Sequence, residues 1–257
     1  MLRDYTNFIG NIKKKTGIDL SLYKEAQMKR RLTSLYERKG FRSFSDFYET
    51  IHNDKEVLDE FLDRMTINVS EFYRNPQRWE VLDKVILPQL LTNNKKLKIW
   101  SAACSTGEEP YSLAMVLSSH KPLRDISIFA TDLDNGAIER AKVGLYSERA
   151  IEEVPPAKLK KYFVADSLHF QVKDEIKRAV TFKQHNLLHD RYDSGYDLIV
   201  CRNVMIYFTE EAKDIIYTNF AKALNKGGIL FVGSTEQIFN PSKYGIESIE
   251  TFFYRKI

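Results

Sequence analysis

The chain has few cysteines and no clustered metal ligands. Only Cys104 and Cys201 occur among its 257 residues, and each follows an apolar run typical of a strand. The five histidines are scattered, and none stands in a zinc-binding spacing. These absences exclude a disulfide scaffold and a zinc enzyme, so we expect no metal. Two cysteines of this kind suit the reducing conditions of the cytoplasm, where we expect the protein to act.

Long hydrophobic runs are also missing. No apolar stretch approaches the roughly 20 residues that cross a bilayer. Residues 1–5 do not have the apolar core of a signal peptide. We therefore expect no direct insertion into a membrane. At 257 residues the chain is long enough for two domains, or for one domain with an appendage.

The third missing feature is the glycine-rich fingerprint of phosphate sites. Residues 98–112 read as a buried strand, a loop of small residues and a helix, which is the order found at nucleotide-type sites. Gly107 is the only glycine there, and Glu108 and Glu109 stand where a pyrophosphate needs the positive end of a helix. The loop therefore suits a cationic ligand with a free amine. S-adenosylmethionine (SAM) has a sulfonium and an amino-acid tail and fits that description.

Hydrophobic spacing divides the chain into a helical part and an α/β part. Apolar residues recur at helical intervals through the first ~90 residues, with Ser21, Ser43 and Asp54 as candidate helix caps. Asn75 is predicted to cap a long helix that has proline at its first position and runs through residue 91. From residue 97, short apolar runs alternate with helical segments. Strands are predicted at 97–103, 126–131, 180–184, 197–201 and 229–233, with an antiparallel edge at 246–249 and 252–256.

This alternation predicts an α/β fold with a doubly wound, mostly parallel sheet. We expect an N-terminal all-α domain at 1–75, a linker helix at 76–96 and the α/β domain at 97–257. The interval 144–180 is too long for a simple crossover between strands. Its paired prolines and its alternating pattern at 169–172 predict a small inserted subdomain of one helix and short strands.

Polar residues follow the predicted strands at the sheet edge where such folds bind ligands. Asp132 ends the second strand and is predicted to accept hydrogen bonds from ribose hydroxyls. The alternative is that Asp132 or Asp134 caps the next helix, which is the expected role of Asp134. Asn186 follows the third strand. Its amide and a free backbone N–H at Leu187 could read an adenine edge, or Asn186 could be an ordinary turn residue.

The fourth strand and the interdomain junction supply further candidates. Arg202 and Asn203 follow that strand directly, and Tyr207 lies just beyond, either lining the ligand or packing as a core aromatic. The junction at 66–74 mixes polar groups with aromatics. Interdomain junctions often hold ligands, and the alternative here is a solvated linker anchored by its two aromatics.

Positive charge is concentrated at the N-terminus. Residues 1–42 hold eleven lysines and arginines against four acids, whereas the remainder is mildly acidic. Lys24, Arg31 and Arg38 recur every seven residues and so share one helix face. Most charged faces are simply solvated, but this excess predicts a docking surface. Nucleic acid and an acidic protein helix both fit such a surface.

Four segments resemble one enzyme family, the CheR-type chemotaxis receptor methyltransferases. They are Ser-Ala-Ala-Cys-Ser-Thr-Gly-Glu-Glu-Pro-Tyr-Ser (101–112), Ala-Thr-Asp-Leu-Asp (130–134), Cys-Arg-Asn-Val-Met-Ile-Tyr-Phe (201–208) and the junction motif Thr-x-Asn-x-Ser-Glu-Phe-Tyr-Arg (66–74). The resemblance spans nearly the whole chain and departs from the usual wording at Cys104, where a small residue such as alanine is common. It implies a cytoplasmic enzyme that methylates glutamate side chains of methyl-accepting chemoreceptors with SAM, leaving S-adenosylhomocysteine.

The resemblance also implies which residues contact the cofactor. They are Asn68, Ser70, Arg74, Glu108, Asp132, Asn186, Leu187, Arg202 and Asn203. Glu108 is preferred to Glu109 as the partner of the methionine amine. The helix with Lys24, Arg31 and Arg38 would dock the cytoplasmic receptor helices. The 144–180 insert corresponds to the region through which some members of the family recognise a receptor tethering peptide.

The reaction needs little acid–base chemistry. A glutamate carboxylate is already ionised at neutral pH, so the enzyme must align it with the methyl group and exclude water. We expect Arg74 and Tyr207 to be the catalytic pair that orients the carboxylate.

Two other functions stay open. A SAM-dependent nucleic-acid methyltransferase is disfavoured because an Asn/Asp-Pro-Pro-Tyr-type motif is missing after the fourth strand, so we expect no nucleic-acid partner. A non-catalytic SAM-binding receptor adaptor is disfavoured because the chain has both the cofactor-type residues and the pair Arg74 and Tyr207.

Overall fold

Four helices form the N-terminal part of the chain. The computed structural model describes residues 2–66, 68–93, 96–166 and 168–257. The first helices are α1 (Leu2–Thr16), α2 (Glu25–Arg38), α3 (Phe44–Asn53) and α4 (Lys55–Met65). As predicted, Ser43 begins α3 by accepting a hydrogen bond from the Asp46 N–H, and Asp54 begins α4 by accepting from Glu56 and Val57.

The start of α2 differs from the prediction. Ser21 caps no part of α2 and lies instead in the 3-10 turn Leu20–Leu22. Tyr23 pairs with Phe208 in an isolated antiparallel bridge. This tertiary contact keeps the backbone extended, so the helix begins only at Glu25. The prediction was wrong because the partner of Tyr23 lies far away in sequence.

A long helical segment follows the junction, as predicted. It comprises α5 (Pro76–Val81), a π-helical stretch (Leu82–Ile86) and α6 (Leu87–Asn93). Pro76 occupies the first turn, where its missing N–H costs nothing. Asn75 precedes it in the left-handed region at φ 60° and makes no capping hydrogen bond through its side chain. Its side-chain oxygen instead accepts from the Arg202 guanidinium at 3.3 Å, so the expected cap is wrong.

The remaining described residues alternate between strands and helices. The strands are β1 (Ile99–Ala102), β2 (Ile128–Asp132), β3 (Leu145–Ser147), β4 (Phe163–Asp166), β5 (His169–Val172), β6 (Val180–Gln184), β7 (Tyr196–Cys201), β8 (Leu224–Val232), β9 (Ile246–Glu250) and β10 (Phe253–Lys256). The main sheet has the order β6-β2-β1-β7-β8-β10-β9, and its first five strands are parallel. The last two are antiparallel, which confirms the predicted edge.

The interval 144–180 holds a second, antiparallel sheet in the order β3-β5-β4, together with α9 (Pro156–Tyr162) and the short α10 (Asp174–Lys177). Short strands and a helix were predicted there. The exact boundaries between domains stay predictions.

Helices cover both faces of the main sheet. They are α7 (Glu108–Leu117), α8 (Asn135–Val143) and α11 (Glu210–Ala223). One core joins α7 and the long helical segment to the sheet, and a second core joins α11 to its other face. The N-terminal helices have a separate core. The predicted α/β class with an all-α domain in front is confirmed. Among the described residues, no helix combines the length and apolarity that a membrane crossing requires.

Phe8 is the centre of the N-terminal core and gives a test of how that core is held. Its side chain is 1% exposed, and its ring lies 5.1 Å from Phe44 and 5.9 Å from Phe61, measured between centroids. We expect Phe8→Ala to lower the free energy of unfolding by about 3–5 kcal/mol, since a large cavity is left. Urea unfolding followed by circular dichroism measures it. The matched control is Phe239→Ala at a side chain that is 92% exposed, where a comparable loss would contradict this account.

Candidate active site

The loop between β1 and α7 is built to turn sharply against α8. Gly107 precedes α7 at φ +96°, a conformation that favours glycine. A Cβ at this position would lie 2.8 Å from Ala141 Cβ, so glycine is also needed for close packing. The loop is further held by the Tyr146 hydroxyl, which donates to the Thr106 carbonyl at 2.6 Å. This close packing fixes the start of α7, where the two glutamates lie.

Glu108 and Glu109 face different partners. The Glu108 carboxylate is 4% exposed and accepts hydrogen bonds from the hydroxyls of Thr106 and Ser70. Burial raises the pKa of Glu108. Glu109 accepts from the Ser101 hydroxyl at 2.8 Å, and burial raises its pKa to about 7, opposed by the charge of Arg202. Glu108 is therefore the one tied to the junction.

A cavity of about 520 Å³ lies between α2 and the carboxyl ends of the parallel strands. Its volume falls within the ~300–1,000 Å³ typical of small-molecule sites. Six of the residues predicted for the cofactor or for catalysis line it, and so do all three predicted docking residues. They are Asn68, Asp132, Asn186, Leu187, Asn203 and Tyr207, and Lys24, Arg31 and Arg38. Ser70, Arg74, Glu108 and Arg202 do not line this cavity.

Asp132 and Asp134 separate into two roles. The Asp132 carboxylate accepts hydrogen bonds from the backbone N–H groups of Ser105 at 2.7 Å and of Asp134 at 2.9 Å. It borders the cavity, and burial raises its pKa to about 6. Asp134 caps α8 by accepting from the Ala137 N–H at 3.1 Å, which confirms its predicted role. Asp132 is thus the carboxylate left facing the cavity.

Both the nitrogen and the oxygen of the Asn68 side-chain amide make hydrogen bonds. Its nitrogen donates to the Asp134 carboxylate at 2.6 Å, and its oxygen accepts from the Ser105 hydroxyl at 2.9 Å. Thr66 also donates to Asp134, at 3.0 Å. The junction is therefore fastened to the end of β2 as well as bordering the cavity.

Asn186 has the turn role that was predicted as one alternative, while its contact with adenine stays a prediction. Its side-chain oxygen accepts from the Leu188 N–H at 2.9 Å, as in a turn, and the residue also lines the cavity beside Leu187.

The side chains of Arg202 and Arg74 donate hydrogen bonds to the backbone of the junction segment 66–74. The Arg202 guanidinium lies 5.3 Å from the Trp79 ring centroid and 4.8 Å from that of Phe231. It donates to the Arg74 carbonyl at 2.7 Å. The Arg74 guanidinium donates to the Val69 carbonyl at 3.4 Å. Direct contact of these arginines with the cofactor stays a prediction, and their observed contacts stabilise the junction.

Tyr207 ends a 3-10 turn, Met205–Tyr207, and borders the cavity. Burial raises its pKa, while the charges of Arg31 and Arg74 act in the opposite direction. Arg31 donates to the carbonyls of Met65 and Thr66 at 3.0 and 3.1 Å. The sequence assigned Arg31 only to docking, because its seven-residue spacing defines a helix face but does not say that this face lies beside Tyr207.

Tyr23, Leu133 and His185 also line the cavity and were missed as site residues. Leu133 and His185 each follow a strand end, the same signal that identified Asp132 and Asn186. Burial lowers the pKa of His185. In the ranges that the structure describes, no group of three or more potential metal-ligating side chains is found.

Comparison with known proteins identifies the class. Residues 68–253 match the family described as CheR methyltransferase, SAM binding domain, and residues 3–66 match CheR methyltransferase, all-alpha domain. A chemotaxis protein methyltransferase of Listeria innocua is 45% identical over 255 residues, covering 99% of this chain and 97% of that protein. One of Borreliella burgdorferi is 34% identical and covers 86% and 83%. The match to a solved TehB-like SAM-dependent methyltransferase from Corynebacterium glutamicum covers 70% of this chain and 93% of that chain, with a TM-score of 0.40 and 18% identity.

A SAM-binding domain on a doubly wound sheet, preceded by an all-α domain, defines the chain as a SAM-dependent methyltransferase. More narrowly, the chain belongs to the CheR methyltransferase family. The predictions of family, fold class, SAM as the methyl donor and enzymatic methyl transfer are thereby confirmed. The roles of single residues stay predictions.

The raised pKa of Asp132 gives a pH test of cofactor binding. As the pH falls through about 6 the carboxylate becomes protonated and accepts hydrogen bonds poorly. We expect affinity for S-adenosylhomocysteine, measured by calorimetry, to weaken over this range. Asp132→Asn should weaken binding roughly tenfold or more, since a charged acceptor is lost, and should flatten the profile.

The control for this test is Asp214→Asn on α11, the same chemical change at a carboxylate outside the cavity. It should keep the wild-type profile. A pH profile of Asp132→Asn identical to wild type would assign the titration to another group, such as His185.

Proposed function

We propose that this enzyme transfers the methyl group of SAM to glutamate side-chain carboxylates on cytoplasmic helices of chemoreceptors, forming glutamyl methyl esters. The main support for this proposal is that two regions line the same cavity. Asp132 and Asn186 line it at the sheet edge, and the basic helix α2 lines it on the opposite side. A cofactor on the first wall would face an acidic substrate on the second. The naming of the relatives as chemotaxis protein methyltransferases supports this substrate.

The lining suits the parts of SAM. Asp132 can accept the ribose hydroxyls, and Asn186 with the buried Leu187 can take the adenine. The amino-acid tail would extend beyond the residues that line the cavity, toward the loop before α7. There Glu108 is a buried acid whose ionised form is penalised by burial, and a ligand ammonium group would offset that penalty. When bound, SAM supplies an electrophilic methyl group on a positively charged sulfur.

The opposite wall suits an acidic helix. Lys24, Arg31 and Arg38 line the cavity together, and Arg30 joins them. Lys24 and Arg38 are exposed, so they can meet a partner without first losing a buried contact. Their charges would attract the acidic face of a receptor helix and align one glutamate with the cavity.

Tyr207 borders the cavity and would act on the substrate carboxylate. Its hydroxyl can donate to one carboxylate oxygen and leave the other free to attack the methyl group in line. The guanidinium of Arg31 is engaged with two backbone carbonyls, so it contributes positive charge without clamping the nucleophile. Arg74 would act through its charge on the Tyr207 side of the site. Since the carboxylate is already ionised, positioning and exclusion of water carry the reaction.

The docking surface is tested by reversing one charge. Arg38→Glu should raise the KM for a receptor cytoplasmic fragment roughly fivefold or more at low salt, with a smaller effect at high salt because exposed charges are screened. Affinity for S-adenosylhomocysteine should not change. Lys14→Glu on α1 makes the same charge change outside the cavity and should leave KM near wild type. Equal effects of the two variants would show that only net charge matters.

The reaction itself is tested with SAM labelled in its methyl group and a purified chemoreceptor cytoplasmic domain. We expect label on the receptor that alkali releases as volatile methanol, because methyl esters hydrolyse in alkali. Label that survives alkali would indicate N-methylation and contradict the proposed ester. Absence of label with intact cofactor binding would favour the non-catalytic adaptor.

A further inference from the structure

A buried carboxylate lies beneath the segment that carries Tyr207. Glu236 is 4% exposed and follows the end of β8. One of its oxygens accepts the N–H groups of Asn203 and Gly233, both at 2.7 Å, and the other accepts the N–H of Met205 at 2.6 Å. The Val204 N–H adds a further contact. Three consecutive backbone donors after β7 therefore converge on one side chain.

These donors need that acceptor because of the local backbone. Asn203 adopts φ +60°, which ends β7 and turns the chain toward the 3-10 turn. The N–H groups of 203–205 thus point away from the sheet ladder. Buried N–H groups without partners are costly, and an ionised acceptor gives the stronger kind of hydrogen bond.

Gly233 makes the approach possible. A Cβ at this position would lie 2.5 Å from the Glu236 carboxylate and 2.6 Å from the Asn203 nitrogen, both far inside contact distance. Gly233 does not adopt a positive φ, so its backbone conformation does not call for glycine. Glycine is needed because a side chain would occupy the space of this close contact. Residues from the end of β8 and from the loop after β7 are therefore fitted to each other.

We propose that Glu236 is a positioning residue, whose carboxylate sets the 203–207 segment so that Tyr207 and Asn203 border the cavity. Glu236 itself does not line that cavity, so it acts through the segment and not on the substrate. The inference rests on the role given to Tyr207 under the proposed function.

The first test is Glu236→Gln, which places an amide NH₂ among backbone donors. We expect kcat for receptor methylation to fall roughly tenfold or more, with KM for receptor little changed. In a Tyr207→Phe background the same change should cost less than about twofold, because residues acting through one another are not additive. Effects that multiply independently would overturn the proposal, and so would a wild-type kcat.

The second test needs no substrate. Hydrogen exchange of the peptide 202–208 should be faster in Glu236→Gln than in wild type, while the peptides of α2 stay unchanged. Gly233→Ala should have the same effect by pushing the carboxylate away, and it serves if Glu236→Gln does not fold. Unchanged exchange in this peptide would overturn the proposal.

The matched control is Ser43→Ala, which removes a helix cap in the N-terminal module and should lower Tm without changing kcat or the exchange of 202–208. A loss of kcat in this control would mean that general destabilisation explains the Glu236 effect. If the wild-type enzyme methylated no receptor, the proposed function would fail, while the exchange data would still support or overturn the role of Glu236.

Discussion

The site depends on the hydrogen bonds that the Asp134 carboxylate accepts. It caps α8 and also accepts hydrogen bonds from Thr66 and Asn68, so one side chain joins the α/β domain to the junction. Arg31 donates in turn to the Thr66 carbonyl, which draws α2 over the sheet edge. The cavity forms because these contacts hold the N-terminal all-α domain over the carboxyl ends of the strands.

A second set of contacts fixes the other side of the cavity. The Lys24 N–H donates to the Tyr207 carbonyl at 2.9 Å, and Tyr23 packs against Phe208 with ring centroids 4.9 Å apart. Lys24, which precedes the helix proposed to dock the receptor, is thus bonded to the residue proposed to orient the substrate. Under the proposed function, docking and alignment of the substrate would share this backbone contact, which suits a reaction that depends on positioning more than on proton transfer.

Sequence reasoning found the strands and the polar residues at their ends because both follow from short-range patterns. Asp132 and Asn186 reached the cavity since the carboxyl ends of parallel strands share one edge. The positions taken by the ends of long side chains were harder to predict. Arg202 also follows a strand, but Trp79 from a distant helix draws its guanidinium under the junction. Glu236 carried no signal, since its partners are backbone N–H groups whose orientation depends on the fold.

The cofactor and the substrate carboxylate are proposed to meet in the cavity between α2 and the carboxyl ends of the strands, and a crystal structure with S-adenosylhomocysteine would decide this. We expect the ribose hydroxyls within hydrogen-bonding distance of Asp132, the adenine beside Leu187 and the sulfur facing Tyr207. Binding of S-adenosylhomocysteine outside this cavity, or with its sulfur turned away from Tyr207, would contradict this proposal.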